Sequence, residues 1–144
     1  AVAVLVRKRI VYLSWISPDD KKTFHIVDES DFPVFKSSLG LVLSYMDDIK
    51  TLHKRLHEDE DMEEVDAEKL FNLVDAQIKG KGFLYLKDFY VNKFNAAMGF
   101  ESPDGSGNAA LAIFSKDRLL DEAKAEKILK DSVSKLIINK ATVK

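Results

Sequence analysis

Cysteine is absent from this chain of 144 residues. Without it the chain forms no disulfide, offers no thiolate to a metal ion and has no cysteine nucleophile. The sequence also lacks an apolar run of about 18 residues, the length that a membrane-spanning helix needs, so we expect no transmembrane segment. Together these absences leave a globular domain that depends on an apolar core.

An excess of charge of one sign is also missing. The sequence has 22 lysines and arginines against 24 aspartates and glutamates, a net charge of −2. This balance gives no general attraction to nucleic acid or to anionic membranes, so we expect no nucleic-acid partner. The first residue is alanine rather than methionine, which indicates processing or a fragment. We expect a soluble intracellular protein, in the cytoplasm or an organelle matrix.

The length suits a single domain over residues 1–144. Its first part, residues 1–30, is predicted to be a β-hairpin. Residues 2–16 are rich in β-branched and aromatic side chains, and Thr23–Val27 is a second run of this kind. Between them, residues 17–20 contain serine, proline and aspartate, which favour a turn.

The rest of the chain has mainly helical spacing of its apolar residues. The pattern predicts a long helix over residues 34–60, a helix–loop–helix unit over 63–99 and C-terminal helices over 109–140. The predicted fold class is therefore α+β and mostly helical, with the N-terminal β-hairpin packed on four to five helices.

The segment 63–99 has the most distinctive pattern, a helix, a polar loop with glycine and a second helix. It resembles the EF-hand helix–loop–helix of calmodulin-like proteins. The residues that carry the resemblance are Phe71, Val74, Asp75, Gly82, Leu84, Asp88 and Phe89. The resemblance implies that two helices flank a loop over residues 75–88.

This loop departs from the EF-hand pattern where calcium would bind. An EF-hand loop supplies oxygen ligands at alternate positions, whereas Lys79 and Lys81 stand at two of those positions and repel a cation. We therefore expect a degenerate unit that binds no calcium and holds no cofactor. The alternative is a calcium sensor or buffer with a longer loop, in which Asp75 and Asp88 act together with main-chain carbonyls.

The predicted function is non-catalytic. We expect a protein–protein interaction or structural module, an adaptor or subunit of a larger assembly, which holds a helix of its protein partner in an apolar groove. Five residues would line this partner-binding groove: Phe71, Phe83, Phe89, Phe94 and Met98. An accessory protein of a virus or phage, with a fold of its own, is also left open.

A histidine pair suggests a further alternative. His53 and His57 are four residues apart, so both lie on one face of a helix and can chelate zinc. A small metal-dependent enzyme would use them. Lys54 follows His53 where zinc proteases carry a glutamate, and a third ligand would have to come from elsewhere. The favoured interpretation is a partly exposed pair beside the apolar Leu52 and Leu56.

Overall fold

A computed structural model gives the fold of the chain. The described backbone covers residues 2–6, 9–16, 23–27, 34–90, 92–101 and 107–142. Side chains are described within residues 2–4, 35–90, 92–101 and 107–136. The predicted turn at residues 17–20 lies outside these ranges.

Six strands form one antiparallel sheet. They are β1 (Val2–Val6), β2 (Arg9–Ile16), β3 (Thr23–Val27), β4 (Leu84–Phe89), β5 (Asn92–Glu101) and β6 (Asn108–Ser115). Their order across the sheet is β3-β2-β1-β6-β5-β4. The N-terminal and C-terminal strands therefore meet in the middle, where Val2 pairs with Leu111.

The predicted N-terminal hairpin is present, with one more strand than expected. β3 coincides with the predicted run Thr23–Val27 and pairs with β2, where Trp15 lies opposite Phe24. Residues 2–16 are not one strand but two, β1 and β2, which pair with each other. Propensity marks strand residues but does not show where one strand ends and the next begins, so the two strands looked like one.

Four α-helices accompany the sheet. They are α1 (Ser38–Asp47), α2 (Ile49–Glu58), α3 (Glu64–Lys81) and α4 (Glu122–Thr142), with a short 3-10 helix at Val34–Lys36. The predicted long helix over 34–60 is wrong because the chain is extended at Asp48, with φ −161° and ψ 109°. The Asp48 carboxylate accepts hydrogen bonds from the N–H groups of Lys50 and Thr51, so it caps α2.

The sheet is the middle layer of a three-layer sandwich. One face shares a core with α1, α2 and α3, and the other shares a smaller core with α4. Neighbouring residues of β5 divide between the layers: Ala97 belongs to the first core, and Ala96 with Met98 to the second. Both faces of β5 and β6 are therefore covered by helices.

Helix α1 lies directly on the sheet. Its residues from Ser38 to Tyr45 are buried, and the Ser38 hydroxyl donates to the Asn95 side-chain oxygen on β5. A glycine on β5 permits this approach, because a Cβ at Gly99 would overlap Met46 Sδ and lie 3.0 Å from Val42 Cγ1. The small residue on the strand thus sets how closely the helix packs.

The EF-hand unit predicted over 63–99 is not present. Helix α3 continues to Lys81 and ends at Gly82, whose φ of +79° is the left-handed conformation common at helix ends. The predicted second helix is instead the strand pair β4 and β5, in which Tyr85 lies opposite Ala96. The first of the predicted C-terminal helices is strand β6, whereas α4 agrees with the later helical pattern.

Among the described residues, none of the helices combines the length and the apolar character needed to cross a bilayer.

Candidate functional site

A groove opens at the edge of the sheet between α3, β4 and the segment that leads into α4. Its volume is about 550 Å³, within the usual range for small-molecule sites. We call it the α3–β4 groove. It is lined by Leu70, Leu73, Gln77, Lys81, Tyr85, Leu86, Lys87, Phe89, Leu119, Asp121 and Glu122.

Gln77 holds the two walls of this groove together. Its side-chain oxygen accepts from the Tyr85 N–H at 2.7 Å, and its side-chain nitrogen donates to the Tyr85 carbonyl oxygen at 3.1 Å. β4 is an edge strand, and such strands expose unpaired N–H and C=O groups. One glutamine therefore satisfies the outward N–H and C=O groups of Tyr85 on β4 and anchors α3 beside the strand.

The end of the groove nearest α4 is tied by two further contacts. The Tyr85 hydroxyl donates to the Leu120 carbonyl oxygen, and Lys81 Nζ lies 2.6 Å from Glu122 Oε1. Burial raises the pKa of Tyr85, and the charges of Glu122 and Asp121 add to the effect, so its hydroxyl remains a donor. These contacts connect α3 and β4 to the beginning of α4.

The groove combines apolar walls with charged rims. The side chains of Leu73 and Leu119 are unusually exposed for leucines, at 44% and 53%. Lys87 is exposed on β4, and the described part of the chain holds no ion pair for it. A ligand with an apolar body and an acidic group would bury these leucines and meet a lysine ammonium.

The five residues of the predicted partner-binding groove do not lie together. Phe83, Phe94 and Met98 belong to the core beneath α4, whereas Phe71 and Phe89 pack against the core on the other face. Phe83 and Phe94 are buried, and of the five only Phe89 lines the α3–β4 groove. The sheet therefore separates side chains that the EF-hand pattern had placed in one groove.

The two aspartates predicted for calcium are on different elements. Asp75 lies within α3, where it accepts a hydrogen bond from the Tyr45 hydroxyl at 2.8 Å and faces Lys79 Nζ at 3.2 Å. The Tyr45 hydrogen bond, with a smaller effect of Lys79, lowers the pKa of Asp75. Asp88 lies near the end of β4 in a left-handed conformation, φ 48°. The loop that was to unite them does not exist.

A different set of ligand-type side chains does converge. The Nε2 atoms of His53 and His57 lie 2.9 and 2.7 Å from Glu68 Oε2, and within the described side chains these three residues form the one such group. Sequence spacing identified the histidine pair but missed Glu68. Its carboxylate comes from α3, and no local pattern predicts how α3 packs against α2.

Comparisons with known proteins give their result at the level of structure. No protein-family model matches the chain, and no curated protein matches its sequence. An IclR homolog from Microbacterium hydrocarbonoxydans, solved with 4-hydroxybenzoate, superposes with a TM-score of 0.72 at 19% identity, over 95% of this chain and 58% of that one. An IclR family transcriptional regulator from Brucella abortus gives 0.70 at 15% identity, over 99% and 55%.

A third neighbour is a separate domain. The C-terminal domain of the E. coli transcriptional regulator KdgR gives a TM-score of 0.63 at 17% identity, over 95% of this chain and 84% of that one. The chain thus spans little more than half of the first two proteins and most of this domain.

These neighbours correct several predictions. They are transcriptional regulators and not EF-hand proteins, so the predicted EF-hand relationship is wrong. The predicted function, an adaptor or structural module with calcium-sensor and metal-enzyme alternatives, is contradicted for the same reason. The expectation of no nucleic-acid partner is contradicted as well, because transcriptional regulators act on DNA. What this degree of identity establishes is the fold: the chain has the fold of the C-terminal domain of IclR-type transcriptional regulators.

Proposed function

We propose that this chain is the regulatory domain of a transcriptional regulator, a non-enzymatic domain that binds a small molecule and thereby alters DNA binding by the whole protein. The observation that carries the proposal is the fold, which is shared with such regulators over 95% or more of the chain. A domain of this kind needs a ligand cavity and a mechanical link from the cavity to another element.

The α3–β4 groove offers both requirements. Lys87, which has no ion pair within the described residues, supplies an exposed ammonium, and the exposed leucines Leu73 and Leu119 supply apolar surface. This combination suits a small organic acid with an apolar or aromatic body. One structural neighbour was solved with 4-hydroxybenzoate, a molecule of this class.

The link runs from the groove to α4. The Lys81–Glu122 ion pair and the bond from the Tyr85 hydroxyl to the Leu120 carbonyl join α3 and β4 to the start of that helix. A carboxylate held by Lys87 lies in the groove that Lys81 also lines, where it competes with Glu122 for the Lys81 ammonium. We infer that ligand binding weakens the Lys81–Glu122 ion pair and shifts the beginning of α4. A regulator would transmit this motion to its other parts.

Calorimetric titration of the purified chain with benzoate, 4-hydroxybenzoate and short aliphatic acids tests the proposal. We expect saturable binding and a higher melting temperature, since a ligand at 100 times its dissociation constant adds about 2.7 kcal/mol of stability. If none of these acids binds, the proposed function is contradicted.

A pair of lysine variants tests the location. Lys87→Ala should weaken binding about tenfold or more, because a hydrogen bond to a charged group contributes about 1.5–3 kcal/mol. Lys93→Ala is the matched control, since Lys93 is also exposed, lies on neighbouring β5 and does not line the groove. Equal loss in both variants, or none in either, would move the ligand away from the groove.

A further inference from the structure

We propose that His53, His57 and Glu68 form a site for a divalent transition-metal ion of the zinc class on the α2–α3 surface. The site is separate from the α3–β4 groove, because none of its three residues lines that groove. The inference stands on geometry alone and is independent of the proposed regulatory function.

The ligand atoms already point at one place. Glu68 Oε2 lies 2.9 Å from His53 Nε2 and 2.7 Å from His57 Nε2, and all three donor atoms lie within 4.8 Å of one another. Zinc binds nitrogen and oxygen ligands at about 2.0–2.2 Å, which places tetrahedral ligand atoms about 3.3 Å apart. Side-chain rotations that lengthen the two Glu68–histidine distances by about half an ångström would bring them to this separation.

Rigid elements present these ligands. On α2, the buried Leu52 and Leu56 directly precede the two histidines and fix the face on which they stand. On α3, the buried Ala67 precedes Glu68 in the same way. Ligands on packed helices hold their geometry better than ligands on loops.

A neighbouring ring also orients the first histidine. His53 meets the ring of Phe71 edge to face, with centroids 4.6 Å apart, and its centroid lies 4.5 Å from that of His57. Phe71 is one turn beyond Glu68 on α3, so the same helix supplies a ligand and a support for the opposite ligand. The nearest lysine in the sequence, Lys54, faces Glu58 at 3.9 Å.

The ligand set determines which ions suit the site. Two imidazoles and one carboxylate suit zinc, copper or nickel, whereas calcium and magnesium prefer oxygen ligands alone. Three protein ligands leave the fourth tetrahedral position open to water. A bound ion would join α2 to α3 and so stabilise their packing.

Zinc titration of the tag-free, metal-stripped chain tests the site by calorimetry and thermal melting. We expect one zinc ion per chain, a higher melting temperature with zinc and no effect of magnesium. His57→Ala and Glu68→Gln should each weaken zinc binding more than tenfold. Loss of a residue that only hydrogen-bonds a metal ligand already lowers affinity about tenfold or more, and these two residues are ligands themselves. Glu58→Gln is the matched control, because Glu58 lies beside His57 in sequence but faces Lys54.

Two results would overturn the inference. One is a wild-type chain that binds no zinc or takes one ion per two chains, which would make the site intermolecular. The other is zinc binding that both His57→Ala and Glu68→Gln retain unchanged. Melting curves of the variants without metal should match the wild type, and Glu68→Gln keeps the test decisive if His57→Ala folds poorly. Because organic acids are absent from these titrations, the result is separate from the test of the regulatory function.

Discussion

The hydrogen bond between Tyr45 and Asp75 joins the sheet-packed helix α1 to α3, and Tyr45→Phe removes it with almost no change in volume. The Tyr45 side chain belongs to a residue that is only 8% exposed, and its hydroxyl donates to the Asp75 carboxylate at 2.8 Å. A hydrogen bond to a charged group contributes about 1.5–3 kcal/mol. In Tyr45→Phe the Asp75 carboxylate still has Lys79 Nζ at 3.2 Å, and its side chain is 28% exposed to water. We therefore expect a loss of stability at the lower end of this range, about 1.5 kcal/mol.

Urea unfolding measures this loss as a lower transition midpoint with an unchanged slope. The matched control is Tyr90→Phe, since Tyr90 is 48% exposed and a surface change of this kind alters stability by less than about 0.5 kcal/mol. If Tyr45→Phe were as stable as the wild type, the hydrogen bond would contribute nothing to stability and this prediction would be wrong.

Asp75→Asn completes a double-mutant cycle and tests the reassignment of this residue. Asparagine keeps an acceptor for Tyr45 but loses the charge, so we expect a coupling of about 1 kcal/mol between the two positions. The loss should be the same with and without a calcium chelator, because Asp75 acts here as a hydrogen-bond acceptor in a helix. A chelator-dependent loss would restore the calcium interpretation.

Three further predictions concern stability. Gly99→Ala places a Cβ against the side chain of Met46, and we expect a loss of about 1–3 kcal/mol in urea unfolding, partly relieved by Met46→Ala in the same chain. Gln77→Leu leaves the Tyr85 N–H and C=O unpaired at the sheet edge, so it should cost about 1–3 kcal/mol and promote aggregation, measured by unfolding and light scattering. Burial, with the hydrogen bond and charge of Asp75, raises the pKa of Tyr45 to about 12, so its contribution is complete below pH 10 and is lost as the pH rises towards about 12. Tyr45→Phe should lose less stability than the wild type over that pH range.

The sequence indicates the N-terminal strands through their β-branched and aromatic residues, but it indicates β5 poorly, because β5 is buried on both faces. Phe94 and Met98 lie on the same face of β5 and pack beneath α4, while Ala97 between them packs on the other face. A spacing of four is shared by one face of a helix and one face of a strand. With helices on both sides of the sheet, β5 lost its polar alternation and looked helical. The alanine-rich β6 was misread for the same reason, since alanine favours helices.

The glycine in the predicted calcium loop misled in another way. Gly82 does need a left-handed conformation, but it needs it to end α3 rather than to turn an EF-hand loop. The same residue therefore satisfies both patterns. The two patterns differ in whether the residues after Gly82 form a helix or a strand. The spacing of apolar residues did not decide between these in that segment.

The candidate sites depended on contacts between distant segments. The α3–β4 groove requires β4 to be a strand, and Glu68 reaches the histidines only because α2 and α3 pack together. Local spacing identified His53 and His57 correctly as neighbours. It has no means of placing a carboxylate eleven residues further on, in another helix.

The most direct test of the regulatory function is a two-dimensional amide NMR titration of the chain with 4-hydroxybenzoate and related acids. We expect saturable shifts at the residues of the α3–β4 groove, above all Gln77, Lys81 and Lys87, that extend into the start of α4 near Glu122. A spectrum unchanged by every acid would contradict the claim that this domain senses small molecules. Shifts confined to residues away from the groove would contradict its assigned site.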